Sequence, residues 1–296
     1  MQLLAYILIY PLLWMVSLLP FKILYMVSDL LYILIYKCFG YRKTVVRNNL
    51  KLALPNKTEK ERLSIEKKFF KHLCDMILEA IKSITISEAE MTKRYVFTNV
   101  DQINALYKEQ KSVVVFMGHY ASWEWVFILQ KFTEYKGYAV YKRLRNKYFD
   151  ALVKRIRSKY NSHLITTKET YPALLNAKKN KELTFNGFVF DQSPKAKKAI
   201  HWQNFMGIKV PAHVGAEIIA KRLDMATAFL KVKKIKRGYY EATFMDIIKS
   251  PKDFNNFEIT NASIKRVEEQ IIETPEHYLW SHKRWKHRNE VPEKFK

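Results

Sequence analysis

From Leu3 to Phe21 the chain runs nineteen residues without a charge. Lys22 follows, and Ile23 to Tyr36 is again apolar apart from Asp29. So much apolar surface must leave water, for a core or for a bilayer. A run of this length is just enough to cross a membrane, but Pro11 interrupts it and Pro20 ends it. A transmembrane span and two short helices lying in one leaflet both fit, with a buried helical pair as the remaining alternative. Met1-Gln2 offers no basic start and no small-residue cleavage site follows, which argues against a secretory signal. If the segment spans, the basic flank Lys37, Arg42, Lys43 and Arg47 places the rest of the chain on the cytoplasmic side. The expected organisation is a membrane anchor over residues 1–40 and a second unit over residues 41–296.

The chain has 296 residues, 48% of them hydrophobic, enough for a full core and too apolar for a disordered chain. Lys and Arg number 52 against 28 Asp and Glu, a net charge of +24, so an anionic partner is expected. Nucleic acid, an anionic membrane or an acidic protein would all satisfy it, but no helix-turn-helix, RRM or zinc pattern is present. Cys38 and Cys74 form neither a disulfide framework nor a metal-ligand pattern. With only seven glycines and no Gly-rich phosphate loop, nucleotide binding is not indicated.

Apolar spacing predicts a long amphipathic helix over residues 60–84, a buried strand at Ser112–Met117 and a helix over residues 123–132. Further strands are expected at Tyr138–Tyr141 and Leu183–Phe190. Ala226–Val232 and Tyr239–Met245 read as a strand pair joined by a basic turn. Helices are expected over Tyr148–Tyr160, Ala212–Arg222 and Asn261–Glu273. This alternation indicates an α/β fold with a mixed, mainly parallel sheet flanked by helices. In such folds the loops at the carboxyl ends of strands build the site, a position that His119 and Asp191 share.

His119 sits in Gly118-His119-Tyr120-Ala121-Ser122-Trp123-Glu124, directly after the strand. A histidine held by a carboxylate is the basis of a general base, because the carboxylate fixes the tautomer and stabilises the imidazolium. On one continuous helix, residues five apart point about 140° away from each other. His119 and Glu124 can therefore meet only if His119 lies in the turn before the helix and Glu124 in its first turn. Gly118 is expected to supply the backbone freedom. The plainer reading is a loop histidine and an acid at a helix N-terminus. Ser122 lacks the G-x-S-x-G elbow of a nucleophilic serine.

The same stretch resembles the HX4(D/E) signature of the lysophospholipid-acyltransferase superfamily, and more narrowly the lipid A late acyltransferases (lauroyl/myristoyl transferases) of Gram-negative bacteria. Further segments match in order. They are Arg47-Asn48-Asn49-Leu50, Tyr141-Lys142 to Asn146, Asp150 to Arg157, Phe190-Asp191-Gln192, Asn204 to Gly207, and Pro275 to Lys286. The resemblance covers nearly the whole chain. It implies a glycerol-phosphate-acyltransferase-like fold on the cytoplasmic face of the bacterial inner membrane, in contact with phospholipids.

The implied reaction moves an acyl chain from acyl carrier protein, or another acyl thioester, to a hydroxyl of a lipid A precursor or related glycolipid. No cofactor, metal or nucleic acid is implied. His119 would be the general base, Glu124 its orienting acid, and Arg157 the ligand of the oxyanion or of an acceptor phosphate. Lys142, Arg143, Asn146, Asp191 and Gln192 would contact substrate. Lys142 stands where many relatives carry arginine, and lacks its bidentate fork. The alternatives are another amphipathic acceptor, or a non-catalytic basic membrane-surface protein.

Overall fold

A computed structural model describes residues 1–295. Among the described residues there are nine strands and ten α-helices. The strands are β1 (Tyr95–Phe97), β2 (Val113–Met117), β3 (Lys136–Tyr141), β4 (Ser162–Thr166), β5 (Thr184–Val189), β6 (Trp202–Phe205), β7 (Ile208–Pro211), β8 (Ala226–Lys236) and β9 (Tyr239–Ile248). The helices are α1 (Gln2–Leu18), α2 (Phe21–Tyr32), α3 (Lys43–Ala53), α4 (Glu59–Lys82), α5 (Glu88–Arg94), α6 (Val100–Lys108), α7 (Lys147–Arg157), α8 (Thr167–Lys179), α9 (Gly215–Leu223) and α10 (Glu258–Glu273).

All strands but the β6–β7 hairpin join one sheet, in the order β1-β9-β8-β2-β5-β3-β4. Strand β2 lies at its centre, and all five of its residues are buried, as β-branched and aromatic side chains covered on both faces require. Pairing is parallel from β8 through β2, β5 and β3 to β4, while β9 runs antiparallel to β8. The carboxyl ends of β2, β5 and β3 therefore lie side by side. His119 follows the first, Asp191 the second and Lys142 the third, so the expected α/β architecture puts them along one edge.

Several elements lie beyond the sequence reading. Strand β1 has three residues and the β6–β7 hairpin four in each strand, too short to show a period. Helix α8 contains Pro172, which obscures it, although Thr166 and Glu169 form a capping box at its start.

At the N-terminus, α1 runs unbroken through Pro11. Its 17 residues extend about 25 Å, short of the roughly 30 Å of a bilayer core. No single described helix is long and apolar enough to cross a membrane, and the stretches Phe21–Cys38 and Lys43–Ala53 pass that test together only across an 87° bend. Instead α1 packs on α4 and α7, and α2 packs on α4. Leu4, Ile7, Leu8, Leu12 and Met15 remain exposed on α1. Three of the four flanking basic residues make contacts within the chain. Arg47 pairs with Glu66 at 2.9 Å, Lys43 sits 4.1 Å over the Tyr36 ring, and Arg42 donates to the Ser281 carbonyl.

Helix α2 is gripped by the tip of the β8–β9 hairpin. Arg237 donates to both Asp29 and Asp75, and the Ser28 hydroxyl bonds the buried Asp75. Tyr25 and Tyr240 both donate to Glu79, whose carboxyl burial pushes up to about 7. Gly238 adopts φ +75, and a Cβ there would overlap the Tyr25 hydroxyl. Gly238→Ala is expected to cost about 1–3 kcal/mol, read as a lowered thermal midpoint that Tyr25→Phe partly restores. An unchanged midpoint would show that the hairpin tip does not hold α2.

Candidate active site

His119 leaves β2 half-buried, and its ring is held at both nitrogens. The Nδ1 atom lies 2.6 Å from Asp191 Oδ1, and the same oxygen accepts the His119 backbone N–H at 3.1 Å. With Nδ1 donating to a carboxylate, Nε2 carries the lone pair and accepts from the Gln192 amide at 3.0 Å. Trp123 meets the imidazole edge-on at 5.2 Å. Asp191 is fully buried. Burial alone would push its carboxyl up. The attraction of His119 when it is protonated, the two His119 hydrogen bonds and Arg284 outweigh this and hold it below the ordinary aspartate range.

The carboxylate on the imidazole is thus Asp191, not Glu124. Glu124 lies at the entry of a 3₁₀ segment, Trp125–Lys131, and its two oxygens face Arg157. Arg157 Nε and Nη2 reach them at 2.6–3.0 Å in a bidentate pair. The spacing condition His119–Glu124 is met in the chain, with His119 in the turn and Glu124 at the helix entry, yet the side chains part. Neighbouring strands decide this. Strand β5 is hydrogen-bonded directly to β2, which brings Asp191 alongside His119 whatever the helix does.

The turn itself differs from the expectation. Gly118 is not in the left-handed region. A Cβ there would come within 3.2 Å of the Val267 side chain on α10, a tight fit. The left-handed residue is the buried Ala121 at φ +50, whose N–H donates to the His277 carbonyl. A non-glycine residue holds this conformation only where its surroundings impose it.

Those surroundings are a C-terminal strap over residues 274–285. The Leu279 N–H donates to the His119 carbonyl, and Tyr120 pairs with Tyr278 in an isolated bridge. The Ser193 N–H donates to His282 Nε2. One segment therefore touches both the His119 loop and the Asp191 loop. From the other side, the buried Asn49 amide donates to the Trp280 and His282 carbonyls at 2.7 Å. Two motif segments more than 200 residues apart in sequence close on each other here.

Asn146 caps α7 by accepting from the Tyr148 and Phe149 N–H groups. Asp150 holds the preceding loop through the Leu144 N–H at 2.8 Å. Lys142 and Arg143 are exposed, and Arg143 makes only a loose pair with Glu169 at 3.7 Å. None of these four has a hydrogen bond or ion pair with His119. Two cavities flank Glu124 and Trp125. One of 190 Å³ is bounded by Leu73, Met76, Ile77, Trp123 and Leu279, and one of 170 Å³ by Met91, Phe127, Ile128, Val153 and Ile156. Among the described residues no group of three or more acidic, His or Cys side chains could hold a metal.

Residues 2–287 match the family described as bacterial lipid A biosynthesis acyltransferase. The chain belongs to that family. It is an acyltransferase. The chain is 22% identical over 278 residues to the lipid A biosynthesis palmitoleoyltransferase of Escherichia coli (strain K12), covering 93% of this chain and 89% of that one. The lipid A biosynthesis acyltransferase of Shigella flexneri matches with the same identity and coverage. The family match includes α1, the His119 and Asp191 loops and the strap. The contact of Asp191 with His119, and those of Asn49 and His282 in the strap, are not evident in the sequence. For Asp191 the signal was present in its place at the end of a strand next to β2.

Proposed function

We propose that the protein transfers a fatty acyl chain from an acyl thioester, with acyl carrier protein as donor, to a hydroxyl of a lipid A precursor. His119 is the general base and Asp191 its orienting carboxylate. The observation that carries this is the 2.6 Å contact between His119 Nδ1 and the buried Asp191, which leaves the Nε2 lone pair pointing away from the carboxylate.

The acceptor hydroxyl displaces the Gln192 amide and gives its proton to Nε2 while its oxygen attacks the thioester carbon. The tetrahedral oxyanion collapses, the carbon–sulfur bond breaks, and the thiolate takes the proton back from the imidazolium. Asp191 stabilises that imidazolium in between. Arg157 uses Nε and Nη2 on Glu124, and its Nη1 is available for the oxyanion or an acceptor phosphate. The apolar cavities beside Trp123 and Trp125 suit the acyl chain. The exposed apolar side of α1 lies in one leaflet of the inner membrane, with the sheet on the cytoplasmic side.

Mass spectrometry of lipids from cells lacking the protein should show a lipid A precursor short of one acyl chain. Wild-type protein should restore it and the His119→Ala variant should not. Unchanged lipids would overturn the acceptor. Release of free fatty acid by purified protein, without acylation of the precursor, would indicate a hydrolase instead.

A further inference from the structure

Arg284 is 1% exposed, and nothing in the reaction above uses it. Its Nη1 donates to Ser193 Oγ at 3.2 Å and to the Pro211 carbonyl at 3.1 Å. Ser193, two residues beyond Asp191, donates its hydroxyl back to the Arg284 carbonyl at 2.5 Å. The guanidinium lies 5.0 Å over the Phe205 ring. Its Nε and Nη2 are buried and have no hydrogen-bond partner among the described residues. An arginine stays charged in any such setting, and burying a lone charge is costly unless a counter-charge faces it. Asp191 makes no direct ion pair with it, but its loop is tied to Arg284 through Ser193, and the two charges favour each other.

We propose that Arg284 is a positioning residue for the transfer, a buried cation tied to the Asp191 loop that keeps the His119–Asp191 pair in its working charge state. This rests on the reading of His119 as base. The active pair is a neutral imidazole against an ionised carboxylate, with a net charge of minus one. A nearby cation favours that state over the protonated pair. The other titratable groups around Asp191 are the Tyr278 hydroxyl and the rings of His213 and His282, with Lys286 adding positive charge near His282. Burial pushes His282 down to about 4, and His213 is likewise lowered by burial, while Tyr278 is pushed up. All three are therefore neutral in the working range. Arg284 is the one buried permanent cation among these groups.

The test is the pH dependence of kcat/KM for acylation of a lipid A precursor from an acyl thioester. In Arg284→Gln the acid limb should move up by on the order of one pH unit. Arg284→Lys should hold the limb near the wild-type position even if kcat falls. A lowered rate in Arg284→Gln with an unmoved limb would reduce Arg284 to a packing role and overturn the proposal. Should Arg284→Gln fold poorly, Arg284→Gln/Asp191→Asn removes both buried charges. Its thermal midpoint should then recover towards that of Asp191→Asn, and no recovery would also overturn the proposal. If His119→Ala keeps the wild-type rate, it is the base assignment that fails, whereas an unmoved limb in Arg284→Gln with His119→Ala inactive overturns the role of Arg284 alone.

Discussion

His119→Ala is expected to lower kcat/KM by about three to four orders of magnitude, with little change in unfolding midpoint. The ring is half-buried, and its side-chain partners are Asp191 and Gln192. Asp191→Asn should lose nearly as much. An asparagine has the same shape, but it cannot stabilise an imidazolium by charge, and its amide can turn the imidazole to the wrong tautomer. Steady-state kinetics on both variants, with the fold checked by circular dichroism, decides the matter. An Asp191→Asn enzyme within tenfold of wild type would remove Asp191 from the relay. The same carboxyl has a stability consequence. Held below its ordinary value of 3.8 in the folded chain, Asp191 contributes stability above that value. The contribution is lost as pH falls through the lower folded value.

Much of the architecture was legible because it follows from local pattern. The run Val113–Met117, all apolar and mostly β-branched, admits little besides a buried strand, and it proves to be the centre of the sheet. The placement of His119 and Asp191 at strand ends followed from the alternation of elements. The partner of His119 was not legible from spacing alone. A spacing of five can allow a contact, but it cannot show that a parallel neighbour strand delivers a closer carboxylate. The exposed Lys142 and Arg143 show the same limit from the other side, since sequence charge does not say which way a side chain points. The strap was the least legible part. Asn49 and the carbonyls of Trp280 and His282 meet through backbone acceptors, which leave no trace in residue identity.

The Glu124–Arg157 pair gives the second large effect and separates the two possible partners of His119. Glu124→Ala and Arg157→Ala should each reduce kcat/KM by about 10²- to 10³-fold. The bidentate pair holds the guanidinium in one orientation, and each partner loses that orientation when the other is removed. Because the two act as a unit, the double variant should be little worse than either single one. Arg157→Lys should behave like the alanine variant, since an ammonium cannot reproduce the two parallel bonds. If Glu124 served His119 instead, the non-additive pair would be Glu124→Ala with Asp191→Asn, both acting on one imidazole. Losses of Glu124 and Arg157 would then multiply. In the proposed mechanism, the acid of the HX4E spacing acts by holding an arginine, and the relay to the base runs through the neighbouring strand. A multiplying Glu124/Arg157 cycle would reverse that assignment.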